Sequence, residues 1–221
     1  TLHALERMFQ HMGYRVDIPR DQGCCGAIHE HGGLPDGAAR NVARNLQAFA
    51  NSSCVVHSAS GCGATLVDYT RLADDRASGA AFVRKLDDAC AALLRRWPAQ
   101  LHLLPLKARV AVHLPCTQRN VLGGTQHIVD LLRKIPEIEL VELDVTHQCC
   151  GAAGTYFVTQ PQMADQLLQR KLNSAALLQP DYIVSTNIGC SLHIAGGLRR
   201  RGGGAPEVLH PATLLARQLP P

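Results

Sequence analysis

The sequence predicts an α/β protein built from two repeated, Rossmann-like, cysteine-rich units with parallel sheets, related by internal duplication. Three observations lead there. The tetrapeptide Cys24-Cys25-Gly26-Ala27 recurs as Cys149-Cys150-Gly151-Ala152. Each copy runs through a glycine-containing loop to a proline, Pro35 or Pro161, and then into a helical pattern. Each then reaches a short β-branched run ending in Gly-Cys, Val55 to Cys62 in the first copy and Ile183 to Cys190 in the second. Residues 1–104 form the first unit, truncated at its N-terminus, and residues 105–221 the second.

The elements follow from hydrophobic period. Leu2, Leu5, Phe9 and Met12 share one helical face that stops at Gly13, a residue suited to ending a helix. Tyr14 to Ile18 reads as a strand. Asp36, after Pro35, is placed to cap a helix carrying Ala39, Val42, Leu46 and Phe49. Cys54 to His57 is the next strand, with Cys54 in the core. Phe82, Leu86, Cys90 and Leu93 fall on one helical face and make Cys90 a core residue. In the second unit, Arg109 to Leu114, Leu140 to Leu143 and Tyr182 to Ser185 read as strands. A helix carrying Met163, Leu167, Leu168 and Leu172 starts near Pro161. Strand, helix, strand at this spacing gives parallel pairing, and ligands of such sheets gather at the carboxyl ends of strands. Cys116, Cys150 and Cys190 all stand just past a predicted strand.

Composition narrows the function. A chain of 221 residues with 46% hydrophobic, 18% charged and 4% aromatic residues can build a core without a metal or a disulfide to hold it. The net charge of +4 is mild, and with so few aromatics there is no stacking surface for bases. The one dense basic run, Arg199 to Arg201 before three glycines, reads as a solvated loop, so no nucleic-acid partner is expected. Stretches free of charge, such as Asn45 to Val67, are too rich in Asn, Ser, His and Gly to span a bilayer. The chain starts at Thr1 inside a helical pattern with no leader to read, which suggests the C-terminal piece of a longer cytoplasmic protein. Ser-His-Asp order, paired carboxylates, G-x-G-x-x-G and the Walker phosphate loop are all missing from the sequence, leaving hydrolase and kinase readings without residues.

Cysteine carries the chemistry. An odd count of nine in a chain with no export signal argues against a disulfide framework and for thiolate ligation. Four thiolates suit an iron–sulfur cluster; zinc also takes four ligands, usually from C-x-x-C knuckles, which this sequence lacks. Adjacent Cys-Cys is a poor zinc chelate and a poor disulfide, whereas two neighbouring thiolates can reach two irons of one cluster. The following glycine lets the backbone turn and leaves amide N–H groups free to point at sulfur. Cys116 precedes Cys149 by 32 intervening residues, and its equivalent in the first unit would lie the same distance before Cys24, upstream of Thr1. His29 and His31 can be ligands, proton carriers or solvated loop residues. His193, and with less reason His57, His113 and His147, are further ligand candidates.

The doubled motif resembles the cysteine-rich (CCG) domain proteins. These include the CCG-bearing chain of heterodisulfide reductase, the lactate-utilisation iron–sulfur protein and the iron–sulfur subunit of glycolate oxidase (glycolate dehydrogenase). The wording Gln22-Gly23-Cys24-Cys25-Gly26-Ala27-Ile28-His29-Glu30-His31-Gly32-Gly33, with Ser60-Gly61-Cys62-Gly63-Ala64 and Val208-Leu209-His210-Pro211, looks most like the last of these. The resemblance implies that Cys116, Cys149, Cys150 and Cys190 ligate a [4Fe-4S]-type cluster and that Cys24, Cys25 and Cys62 are the remnant of another. It also implies electron transfer within a hetero-oligomer, from FAD-containing glycolate oxidase subunits to a respiratory acceptor, in the cytoplasm or at the inner face of the membrane. Where the family ends in C-x-x-C, this chain has Cys190-Ser191-Leu192-His193 and Cys62-Gly63-Ala64-Thr65. A histidine can replace cysteine on iron; a threonine is a poor ligand. The alternatives are a heterodisulfide-reductase-like thiol/disulfide oxidoreductase and a non-redox module held by zinc or thiols.

Overall fold

Parallel pairing throughout is what a chain of alternating strands and helices imposes, because each crossover returns the backbone to the same end of the sheet. The computed structural model describes residues 1–220. The first half runs α1 (Leu2–His11), α2 (Ala27–His31), α3 (Pro35–Ala48), β1 (Val55–His57), α4 (Ser60–Leu66), α5 (Tyr69–Leu72), α6 (Arg76–Lys85), β2 (Leu86–Asp88) and α7 (Ala89–Arg95). The second runs β3 (Arg109–His113), α8 (Cys116–Asn120), α9 (Gln126–Leu132), β4 (Glu139–Glu142), α10 (Tyr156–Thr159), α11 (Pro161–Leu178), β5 (Tyr182–Ser185), α12 (Ile188–Arg201), β6 (Glu207–Leu209) and α13 (Pro211–Arg217).

Two parallel sheets result, β1-β2 and β4-β3-β5-β6. Aligned on the CCG triplets, β1 corresponds to β5 and β2 to β6, and the registers agree: Val55 faces Leu86 as Ile183 faces Val208. The larger sheet is buried on both sides, as parallel sheets generally are. Val110, Val112 and Val184 point into a core shared with α1, α7, α9 and α13. Ala111 and Ile183 point the other way, onto Leu168, Leu172 and Ile194 of α11 and α12. The shared core takes Leu5, Met8, Phe9 and Leu93 from the first half and Ile128, Leu131, Leu132 and Leu215 from the second.

Several elements stand as the period predicted, including α11 from Pro161 and β5 over Tyr182–Ser185. Gly13 ends α1 in the left-handed region at φ +84°. Others need correction. Tyr14 to Ile18 forms no strand. Its counterpart β4 hydrogen-bonds to β3, and among the described residues the first repeat has no strand equivalent to β3, so this run finds no ladder. The helical face through Phe82, Leu86, Cys90 and Leu93 is broken by β2, although Cys90 is buried at the start of α7. Cys54 lies exposed just ahead of β1. Leu34, not Asp36, is the N-cap of α3; Pro35 already occupies its first turn. Met163 is 49% exposed because the buried face of α11 runs through Ala164, Leu168, Lys171, Leu172 and Ala175. Arg199 to Arg201 form the last turn of α12 rather than a loop, with Arg200 paired to Asp165 at 2.8 Å. No helix among the described residues is long and apolar enough to cross a membrane.

Candidate metal centre

The cysteines of the second repeat are delivered by strand ends. Cys116 opens α8 three residues after β3, and Cys190 stands in the first turn of α12, after β5. Asn187 caps α12 by accepting the N–H groups of Gly189 (3.0 Å) and Cys190 (3.3 Å), which fixes the turn that carries the thiol. Cys149 and Cys150 arrive on the loop after β4. Gly151 then turns at φ +88° with Ala164 so near that a Cβ would lie 2.5 Å from its carbonyl oxygen; only glycine lets this loop lie on α11.

The four thiols meet. Cys150 Sγ lies 2.8 Å from Cys190 Sγ, while Cys149 lies near enough to Cys116 and Cys150 for each to shift its titration. The Gly151 N–H points at Cys149 Sγ from 3.4 Å, the amide-to-sulfur contact expected of the glycine after the pair. Cys116 and then Cys150, with the Gly151 N–H and nearby Lys171, lower Cys149 below a normal thiol, while Cys116 and Cys150 are raised. His113, at the end of β3, joins them: one ring nitrogen and the sulfurs of Cys150 and Cys190 all lie within 4.8 Å of one another. Burial first, and the Lys171 charge second, push His113 down to about 3, so the ring is neutral at neutral pH. Four buried or half-buried sulfurs with no structural disulfide fit the donor set of an iron–sulfur cluster.

The first repeat gathers three thiols. Cys25 and Cys62 lie near enough to interact, which raises Cys25 and lowers Cys62, and Cys24 adjoins Cys25. Gly26 turns at φ +90° against Ala38, the counterpart of Ala164. Polar side chains buttress this loop: Asn45 Nδ2 donates to the Cys24 carbonyl and to Tyr69 Oη, both at 2.9 Å, and Tyr69 Oη donates to the Cys25 carbonyl at 3.0 Å. Burial pushes the Tyr69 phenol up to about 12. His29 lies on α2 with its ring against Gly37, and His31 is exposed at the end of that helix.

Other predicted histidines are engaged elsewhere. His193 Nε2 lies 3.2 Å from the Ala164 carbonyl, with Phe157 tilted against the ring. His147 pairs with Glu142 at 2.9 Å. His57 is buried at the end of β1, where desolvation lowers its pKa against the pull of Asp88 and Asp87. Sequence reasoning missed Asn45, Tyr69 and Lys171. Lys171 is 2% exposed in the middle of α11 and forms an ion pair with Asp144, which leads into the second CCG loop. The repeats meet on a polar seam between the two sites: the Ser60 N–H donates to the Thr186 carbonyl at 2.8 Å, and Asn187 Nδ2 donates to Ser60 Oγ (3.3 Å) and Thr117 Oγ1 (3.2 Å).

A doubled CCG loop with thiols converging at the ends of parallel strands defines a class of cysteine-rich metal-binding domain. The cysteine-rich domain (CCG) family matches residues 1–67 and 110–195, and the chain belongs to it. It is 31% identical over 223 residues to the probable glycolate oxidase iron-sulfur subunit of Bacillus subtilis, covering 97% of this chain and 50% of that protein. It is 29% identical over 207 residues to the glycolate oxidase iron-sulfur subunit of Escherichia coli, covering 90% and 51%. Lactate utilization protein A of Bacillus velezensis is 28% identical over 219 residues, covering 97% of this chain and 90% of that protein. The chain therefore spans about half the length of the two glycolate oxidase subunits.

Proposed function

We propose that Cys116, Cys149, Cys150 and Cys190 hold an iron–sulfur cluster of the [4Fe-4S] type, and that the chain relays electrons in a 2-hydroxy-acid dehydrogenase complex of the glycolate oxidase kind. The observation that carries this reading is the gathering of those four thiols at the ends of parallel strands, with Cys150 and Cys190 2.8 Å apart. Relatives named as iron–sulfur subunits support it. We read each repeat as a Rossmann-like half, with FAD and the 2-hydroxy acid on partner subunits and a respiratory acceptor beyond. A cluster of this type takes up and passes on single electrons when bound. The chain's own residues hold it: four thiols supply ligands, the Gly151 N–H places a positive dipole on sulfur, and Lys171 sets a buried positive charge beside Cys149. Cys24, Cys25 and Cys62 form the counterpart in the first repeat.

The test is iron, zinc and acid-labile sulfide per chain on protein purified without oxygen. Roughly four irons with matching sulfide, and broad absorption in the violet, are expected. Zinc without sulfide, or no metal, overturns the reading and leaves a structural or thiol-based role.

A further inference from the structure

We propose that His113 is a nitrogen ligand of the metal centre in the second repeat, an inference that rests on the cluster reading above. Its position is fixed from both sides. β3 is an inner strand, hydrogen-bonded to β4 on one side and β5 on the other, and His113 is its last residue. From there the chain reaches Cys116 in three residues, so one strand end delivers both groups. Side chains there are held by two ladders and do not depend on a loop.

The donors lie close enough together to serve one metal centre. A ring nitrogen of His113 and the sulfurs of Cys150 and Cys190 fall within 4.8 Å of one another, and all three residues are buried. Histidines that bind metals typically engage their second nitrogen with an oxygen that fixes ring and tautomer. His113 has that partner: Nδ1 lies 2.9 Å from Ser185 Oγ, which also accepts the Asn187 N–H at 3.3 Å. Ser185 ends β5, so the strand that positions Cys190 also orients the imidazole. This leaves Nε2 for the metal. His193, three residues after Cys190, has its Nε2 on the Ala164 carbonyl instead.

The first repeat gives the contrast. Its counterpart of Ser185 is His57, whose Nδ1 is buried with no hydrogen-bond partner. The serine that orients the proposed ligand is therefore replaced in the first repeat by a histidine.

The test uses the full chain, labelled with ¹⁵N-histidine, loaded anaerobically with iron and sulfide, and reduced. Electron–nuclear double resonance is expected to show one strongly coupled nitrogen, lost in His113→Ala and kept in His193→Ala. His113→Cys is expected to retain iron and sulfide without that coupling and with a lower midpoint potential. In His113→Ala, loss of iron to a chelator is expected to quicken at least about tenfold. A wild-type cluster without strong nitrogen coupling, or coupling that survives His113→Ala or disappears in His193→Ala, overturns the assignment. Should His113→Ala fail to fold, the labelled wild type, His113→Cys and His193→Ala still decide. Wild-type protein without iron and sulfide overturns the cluster reading, and this inference with it, before any variant is made.

Discussion

Ten positions after Pro35 the first repeat carries Asn45, and ten after Pro161 the second carries Lys171. Both are buried, and each braces the loop ahead of its own helix. Asn45 does so with neutral hydrogen bonds to Gly23 N–H, the Cys24 carbonyl and Tyr69. Lys171 does so with a full charge, paired to Asp144. A buried cation in low dielectric favours anionic sulfur nearby, so the same scaffold position is tuned for structure in one repeat and for charge in the other. The second repeat also brings Cys116 and His113 to its site. The duplicated fold has kept the loop and specialised the site.

The largest effect should come from cutting this asymmetry at sulfur. Cys150→Ser is expected to bring iron and sulfide to background, a loss of at least about tenfold. Cys25→Ser is expected to leave both unchanged. Iron analysis of the two variants decides, and a Cys25→Ser protein with half the iron would mean that both repeats hold metal.

Next is the buried charge. Removing one partner of a buried pair strands the other, so Lys171→Met should destabilise the protein by about 3–5 kcal/mol. Burial alone would raise Asp144, but the Lys171 ammonium and the Thr146 hydroxyl and N–H hold it below the usual carboxylate range. The stability it contributes is therefore present above the unfolded carboxylate pKa and is lost as pH falls through the folded one. Asn45→Ala leaves neutral groups unsatisfied and should cost less, about 1–3 kcal/mol. Urea melts of the two variants that gave equal losses would remove the distinction between the repeats.

Much of this was legible, for reasons that differ by residue. The CCG triplets, Pro35, Pro161 and β5 announce themselves through local pattern, and the duplication doubles each signal. β2 does not: Leu86-Asp87-Asp88 has no β-branched residue and becomes a strand only because β1 lies beside it. Lys171 stands between Arg170 and Leu172 and reads as a solvated helix residue; only the packing of α11 on the sheet buries it. His113 was visible as a residue before Pro115 and Cys116, but its approach to Cys150 and Cys190 depends on parallel pairing of β3 with β5, which joins residues 72 apart at Ser185.

The two glycines sharpen the comparison further. Both turn at positive φ, which should cost alanine about 1–2 kcal/mol at either place. At Gly26 the new Cβ would meet Ala38 at 3.5 Å, an ordinary contact. At Gly151 it would meet the Ala164 carbonyl oxygen at 2.5 Å, so α11 must move. Gly151→Ala should then lose about 2–4 kcal/mol, adding overpacking to strain. It should also lower iron content, whereas Gly26→Ala should not; equal thermal shifts would show that the loop yields rather than the helix.

The smallest effect separates the two repeats by pH. At the end of β2, Asp88 caps α7 by accepting the Ala91 N–H at 3.0 Å; at the equivalent place just after β6, His210 caps α13 through Nδ1, which accepts the Ala212 N–H at 3.1 Å. Burial tends to raise Asp88, but His127 and the Ala91 N–H hold it below its ordinary value, so its cap fails only in strong acid. Burial pushes His210 down to about 4, and the neutral ring is what the helix needs as an acceptor. With the folded pKa below the unfolded one, this contribution is complete above about pH 6.5 and drains away as pH falls toward 4. His210→Asn keeps an acceptor at the cap and removes the titration. Denaturant midpoints at pH 7 and pH 5 should show the variant losing about 1–2 kcal/mol less than wild type between those values. Identical losses would place the acid sensitivity in His57 and His113, at the ends of β1 and β3, and not in the helix cap.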